Sequence, residues 1–163
     1  MNQSTRGEGY MTPIRATDER IVPYSQCEVW KVLVDIAAYP AWWPRTVGLR
    51  ILHREVELVG SSFELRPFGG RSFCCRIESV EEPNMLRMRY YGGFIDGRGE
   101  WRLQPVGLKT RVVYELDVRA AGRIVAWIGR LLPLSRLHSF QMNGVLRQLE
   151  KKVEKNAKSG IAQ

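Results

Sequence analysis

Glu100-Trp101-Arg102-Leu103-Gln104-Pro105-Val106-Gly107-Leu108-Lys109-Thr110-Arg111-Val112-Val113-Tyr114-Glu115-Leu116-Asp117-Val118 is the stretch that decides the fold. Trp101 and Leu103 alternate with Glu100 and Arg102. Val112, Tyr114, Leu116 and Val118 alternate with Arg111, Val113, Glu115 and Asp117. A period of two is that of a strand with one dry and one wet face, and Val106-Gly107 marks a short turn between two such strands. Working back toward the N-terminus, the same period recurs at Leu86, Met88 and Tyr90, at Phe73, Cys75 and Ile77, at Phe63 and Leu65, and at Val47, Leu49 and Ile51. Gly60, Phe68-Gly69-Gly70, Glu82-Pro83-Asn84 and Gly92-Gly93 punctuate these runs as turns. Six strands in succession make an antiparallel meander.

Beyond Gly122 the period returns to 3.6. Pro133 suits a helix start, and Leu137, Met142, Val145, Leu146, Leu149 and Val153 then define one apolar stripe running toward Lys158. At the other end, Thr12 to Val22 reads as a first strand. Ser25-Gln26-Cys27-Glu28 follows as a capping box, in which the serine accepts from a backbone N–H and the glutamate reaches back. Val29, Leu33 and Ile36 supply an apolar helix face, and Pro40 disfavours helix before it. Tyr39-Pro40-Ala41-Trp42-Trp43-Pro44 is a stiff aromatic turn. The order is strand, helix pair, six strands, long helix: a two-layer α+β domain over residues 12–158, with tails at 1–11 and 159–163.

Composition narrows the class. One hundred and sixty-three residues, 44% of them apolar, suffice for one core. A net charge of +8 favours anionic partners, but the basic residues are scattered, and neither a recognition helix nor a stacking platform is evident, so no nucleic-acid partner is expected. Cys27, Cys74 and Cys75 form no disulfide framework, and no His/Cys cluster has metal spacing, so no metal or other cofactor is expected. Such cysteine usage suits a reducing cytoplasm. The polar opening residues contain no secretory h-region. The stretch Gly122–Leu137 joins Trp127, Ile128, Leu131 and Leu132 to Arg123, Arg130 and Arg136. It is too charged to span a bilayer, and it fits either a segment packed on the sheet rim or one lying on an anionic membrane surface.

The chain resembles the START-like and pollen-allergen-like helix-grip superfamily, with its polyketide cyclase/dehydrase, lipid-transport and coenzyme Q-binding branches. The residues that carry the resemblance are Val29 to Leu33 leading to Asp35, then Tyr39-Pro40-x-Trp42-x-Pro44, Gly60, the turn at Glu82 to Asn84, Gly99 to Leu103 with Pro105, Lys109 to Val112 and the closing helix. It implies a curved sheet of about seven strands wrapped around the C-terminal helix, with two short helices after the first strand. An internal cavity for a small hydrophobic ligand such as a lipid, quinone, sterol-like or polyketide molecule would lie between sheet and helix. The alternative is a cyclase or dehydratase-like enzyme acting on a polyketide-type substrate in the same cavity.

The expected ligand-facing residues are Trp42, Phe63, Leu65, Phe73, Cys75, Met88, Tyr90, Trp101 and Tyr114, together with Leu137, His138, Gln141, Met142 and Val145 on the long helix. Gly97 and Gly99 share the face of Trp101 and carry no side chain, which leaves room. His53 either continues the inward parity of its strand or lies beyond the sheet edge. Tyr90 and Tyr114 bring hydroxyls that need partners when buried. His138, with those two tyrosines, is the candidate for moving a proton. Asp96, Arg98 and Arg66 fall on the wet parity. No nucleophile–base triad and no phosphate loop is present; a cyclase needs little more than a shaped cavity and one or two proton donors, because folding a flexible substrate is an orientation problem.

Overall fold

The computed structural model describes residues 11–121 and 134–161. The elements run β1 (Met11–Val22), α1 (Gln26–Val34), a 3-10 turn (Ile36–Ala38), α2 (Tyr39–Trp42), β2 (Val47–His53), β3 (Ser62–Pro67), β4 (Phe73–Glu81), β5 (Met85–Tyr91), β6 (Ile95–Val106), β7 (Lys109–Ala121) and α3 (Leu134–Ile161). The helix-grip α+β architecture is therefore present. The Gly122–Leu137 stretch lies outside the described residues except for its last four positions. No helix among the described residues is long and apolar enough to cross a membrane.

The seven strands form one antiparallel sheet in the order β1-β7-β6-β5-β4-β3-β2. Six of them follow chain order because each short turn returns the chain beside itself; β1 closes against β7 along its full length, from Met11 opposite Ala121 to Val22 opposite Thr110. Carrying the chain from the β1 edge to the β2 edge requires a crossover, and α1 and α2 supply it. Helix α1 begins where the capping box is made: the Glu28 N–H donates to Ser25 Oγ, and the Ser25 N–H donates to Glu28 Oε2 at 2.8 Å. It stops at Asp35, ahead of Pro40, which instead occupies the first turn of α2, where a missing N–H costs nothing.

The outer face of the sheet carries cross-strand ion pairs, among them Arg50–Glu64, Arg87–Glu100, Arg98–Glu78 and Arg102–Glu115. This matches the wet parity. Glu100 is an exception in degree, because Arg87 and Arg102 cover it until it is 9% exposed. The inner face is apolar, and α3 packs on it through Met142, Val145, Leu146, Leu149 and Val153. Val153 is 1% exposed and Glu150 pairs with Arg20 of β1, so α3 stays attached to the domain into the turns whose polar sequence suggests free solvent.

Candidate functional site: an apolar hollow with unpartnered polar groups

Between the inner sheet face and the first half of α3 a hollow remains, with a free volume of about 70 Å³. Helix α3 brings His138, Gln141, Met142 and Val145 to it, as expected from their spacing. The strands bring Phe63, Leu65, Phe73, Met88, Tyr90, Trp101 and Tyr114. Val47, Pro67, Ile95 and Leu116 complete the apolar wall.

Four positions fall elsewhere than the expectation. Leu137 is 42% exposed and outside the wall; it lies roughly 100° round the helix from the centre of the inward stripe. Cys75 is fully buried in the core, and burial pushes its thiol up, which leaves it unreactive. Trp42 packs edge-on against Tyr39, 5.2 Å between ring centres, while Trp43 lines the hollow. The change of roles comes from the backbone: α2 ends at Trp42, and Trp43 turns out of the helix at φ −59°, ψ 142°. For His53, where two places were open, the outward one is taken: it follows a register shift after Ile51, is exposed, and contacts Glu55 at 2.8 Å. Gly99 leaves no room for a guest, because the space beside it is taken.

The occupant of that space is a pair of tyrosines. In the sheet register Tyr90 lies opposite Gly97, and Tyr114 lies opposite Trp101. The two side chains lean toward one another over Gly99, the residue between those positions on β6, and their hydroxyls hydrogen-bond. Burial pushes both phenols well above their ordinary value, so the pair stays neutral and serves as hydrogen-bond donor and acceptor rather than as a base.

His138 stacks on the Tyr114 ring, 5.8 Å between centres, and its Nδ1 lies 3.6 Å from Asp18 Oδ2. Asp18 is 7% exposed. Burial pushes its carboxyl up, but His138 and the Ser139 hydroxyl outweigh that and hold it below the usual carboxylate value. Sequence reasoning misses Asp18, although a signal is available: the residue shares the inward parity of β1 with Ile14, Ala16 and Val22, and an acid on an apolar face calls for a partner. The wall also holds two buried polar atoms with no hydrogen-bond partner among the described residues, Gln141 Nε2 and Trp43 Nε1. Leaving a buried donor unsatisfied costs on the order of 1–3 kcal/mol, so this wall is built to gain from an acceptor placed against it.

A wider depression, about 440 Å³, lies on the opposite face of the sheet among Arg87, Arg98, Glu100 and Asp117. Its charges are already paired across strands, so it offers a guest no uncompensated charge. No cluster of metal-ligating side chains occurs among the described residues.

Comparison with known proteins agrees with this architecture. The "Ribosome association toxin RatA" of Escherichia coli (strain K12) is 22% identical over 107 residues, which are 64% of this chain and 68% of that protein. The crystal structure of TTHA0849 from Thermus thermophilus superposes with a TM-score of 0.71 at 21% identity, over 89% of this chain and 99% of that one. The Zhui aromatase/cyclase from Streptomyces sp. R1128 superposes with a TM-score of 0.67 at 19% identity, over 91% and 96%. The family model described as polyketide cyclase / dehydrase and lipid transport matches residues 13–154, from the start of β1 to the buried end of α3. The chain belongs to the polyketide cyclase/dehydrase and lipid transport family.

Proposed function

We propose that this protein binds a small hydrophobic ligand bearing a hydrogen-bond acceptor in the hollow between the sheet and α3. The observation that carries the reading is the presence of Gln141 Nε2 and Trp43 Nε1, buried and without a partner among the described residues, in a largely apolar wall. A carbonyl or similar oxygen satisfies them, while the rest of the guest is held by apolar contact. A volume of about 70 Å³ is well below the roughly 300 Å³ at which pockets for drug-sized molecules begin. Uptake of a ring-sized guest therefore requires side chains to move, and Met88 and Met142, unbranched and polarizable, are the wall residues suited to do so.

The test is binding of menadione, a two-ring quinone, against naphthalene, the same ring system without carbonyls, followed by tryptophan quenching. Menadione should bind at least tenfold more tightly, and Gln141→Leu should remove most of that preference while leaving naphthalene affinity unchanged. Equal affinity of the two probes, or uptake of neither, rules the reading out. Native mass spectrometry of the freshly purified protein gives the identity of any carried ligand.

The Asp18–His138 pair favours a second reading, a cyclase-like enzyme. A carboxylate 3.6 Å from Nδ1 orients the imidazole, and the neutral tyrosine pair adjoins it. General acid–base assistance of this kind is worth roughly 10²–10⁴ in rate. With a poly-β-ketone thioester as substrate, His138→Ala is then expected to lower turnover at least 100-fold. Unchanged turnover removes His138 from the chemistry and leaves the binding reading in place.

A further inference from the structure

A second concave site stands outside the hollow yet shares a wall with it. A groove of about 440 Å³ runs between the α2 corner and α3, lined by Trp42, Trp43, Arg45, Gln148, Lys151, Lys152 and Lys155. Residues 148, 151, 152 and 155 are spaced i, i+3, i+4, i+7, so they form one stripe of α3. Arg45 faces that stripe across the groove. None of these four cations makes an ion pair with a described residue, and the carboxylates on the same part of α3 are engaged elsewhere: Glu150 with Arg20 at 2.5 Å, Glu154 with Lys158 at 2.6 Å. The groove thus concentrates uncompensated positive charge in a concave site, which raises the local concentration of anions. Trp42, 8% exposed, stands in its wall with Nε1 unpartnered among the described residues.

Trp43 belongs to both walls, that of the groove and that of the hollow. Along α3 the two sites follow one another directly: Val145 lines the hollow and Gln148, about 4.5 Å further along the axis, lines the groove. From this juxtaposition we infer that the ligand is an amphipathic anion, its phosphate or carboxylate head held by Arg45, Lys151, Lys152 and Lys155 and its apolar part passing Trp43 into the hollow. The inference rests on the binding reading above and adds to it the charge of the ligand and the place of its head. A nucleic-acid strand fits the groove less well, because the faces of Trp42 and Trp43 are largely buried and offer no open surface for base stacking.

The probes are dodecyl phosphate, dodecanol with the same tail and no charge, and inorganic phosphate, each titrated below its micelle concentration into the full chain. Dodecyl phosphate should bind at least tenfold more tightly than either of the others and should displace menadione. The preference over dodecanol should shrink as salt is raised. In the double variant Lys151→Glu/Lys155→Glu, both positions being exposed, the preference should vanish while dodecanol binds as before. Equal binding of dodecyl phosphate and dodecanol, with menadione still taken up, overturns the head site and leaves the hollow intact. Dodecyl phosphate binding that does not displace menadione makes the groove a separate site and also overturns the inference, as does inorganic phosphate binding as tightly as the amphiphile. A single-stranded oligonucleotide bound tightly and not released by dodecyl phosphate assigns the groove to nucleic acid instead. Failure of every hydrophobic probe, menadione included, removes the binding reading and this inference together.

Discussion

Replacing Gly99 with alanine is expected to destabilise the protein by about 3 kcal/mol and to separate the Tyr90 and Tyr114 hydroxyls. A Cβ at this position overlaps the Tyr114 hydroxyl oxygen and comes within 2.7 Å of Tyr90 Cε2. Neither ring can swing away into solvent, since Tyr114 is fully buried and Tyr90 is 6% exposed. Overpacking of this kind costs roughly 1–3 kcal/mol, and a buried hydroxyl parted from its partner adds on the order of 1–3 kcal/mol. Urea unfolding measures the sum. Gly48→Ala is the matched control: it also lies in a strand, but its Cβ would sit 3.5 Å from Arg66 Cβ, an ordinary contact, and it should change stability by less than about 0.5 kcal/mol. Adding Tyr114→Phe to the Gly99 variant removes the overlapping oxygen and should recover part of the loss. Equal stability of the Gly99 and Gly48 variants would show that the tyrosine pair does not depend on the missing side chain.

Trp101→Ala should cost about 3–5 kcal/mol and should enlarge the hollow. Trp101 is 1% exposed, lies 4.7 Å from the Tyr114 ring, and forms part of the hollow's wall. Truncation withdraws a large apolar surface from the core, and the surrounding strands, fixed by β5 and β7 pairing on either side, cannot collapse to fill the space. The variant is expected to take up anthracene, a three-ring hydrocarbon, more tightly than the original protein does, as read by anthracene fluorescence. Trp101→Leu, which keeps part of the volume, should fall between the two in both stability and uptake. A variant that stays as stable as the parent, or that binds anthracene no better, would place Trp101 outside the wall.

These two substitutions act on neighbouring inward positions of β6, and the contrast between them shows how the site is made. Trp101 was identifiable as inward-facing from its parity alone, because alternation on a strand assigns a face whatever the partner strand does. Gly99 has the same parity, and from the chain alone its missing side chain reads as empty space. That space is filled only because β5 and β7 lie on either side of β6, so that two tyrosines 24 residues apart in the sequence reach over the same glycine.

Local sequence determined the elements of this protein: the capping box that starts α1, the proline that divides the crossover helices, the alternation that gives each strand a dry face, and the 3.6 spacing that turns His138, Gln141, Met142 and Val145 inward together. Each of these is a matter of periodicity or of contacts within a few residues, and such terms are present in the chain before it folds. Tertiary structure alone decided which of two adjacent tryptophans faces the hollow, that Asp18 meets His138, that two tyrosines occupy the space beside Gly99, and that Arg45 faces the lysines of α3. Those outcomes depend on the strand order β1-β7-β6 and on the angle at which the chain leaves α2, and they join residues separated by up to about 120 positions, a distance over which no sequence period carries information.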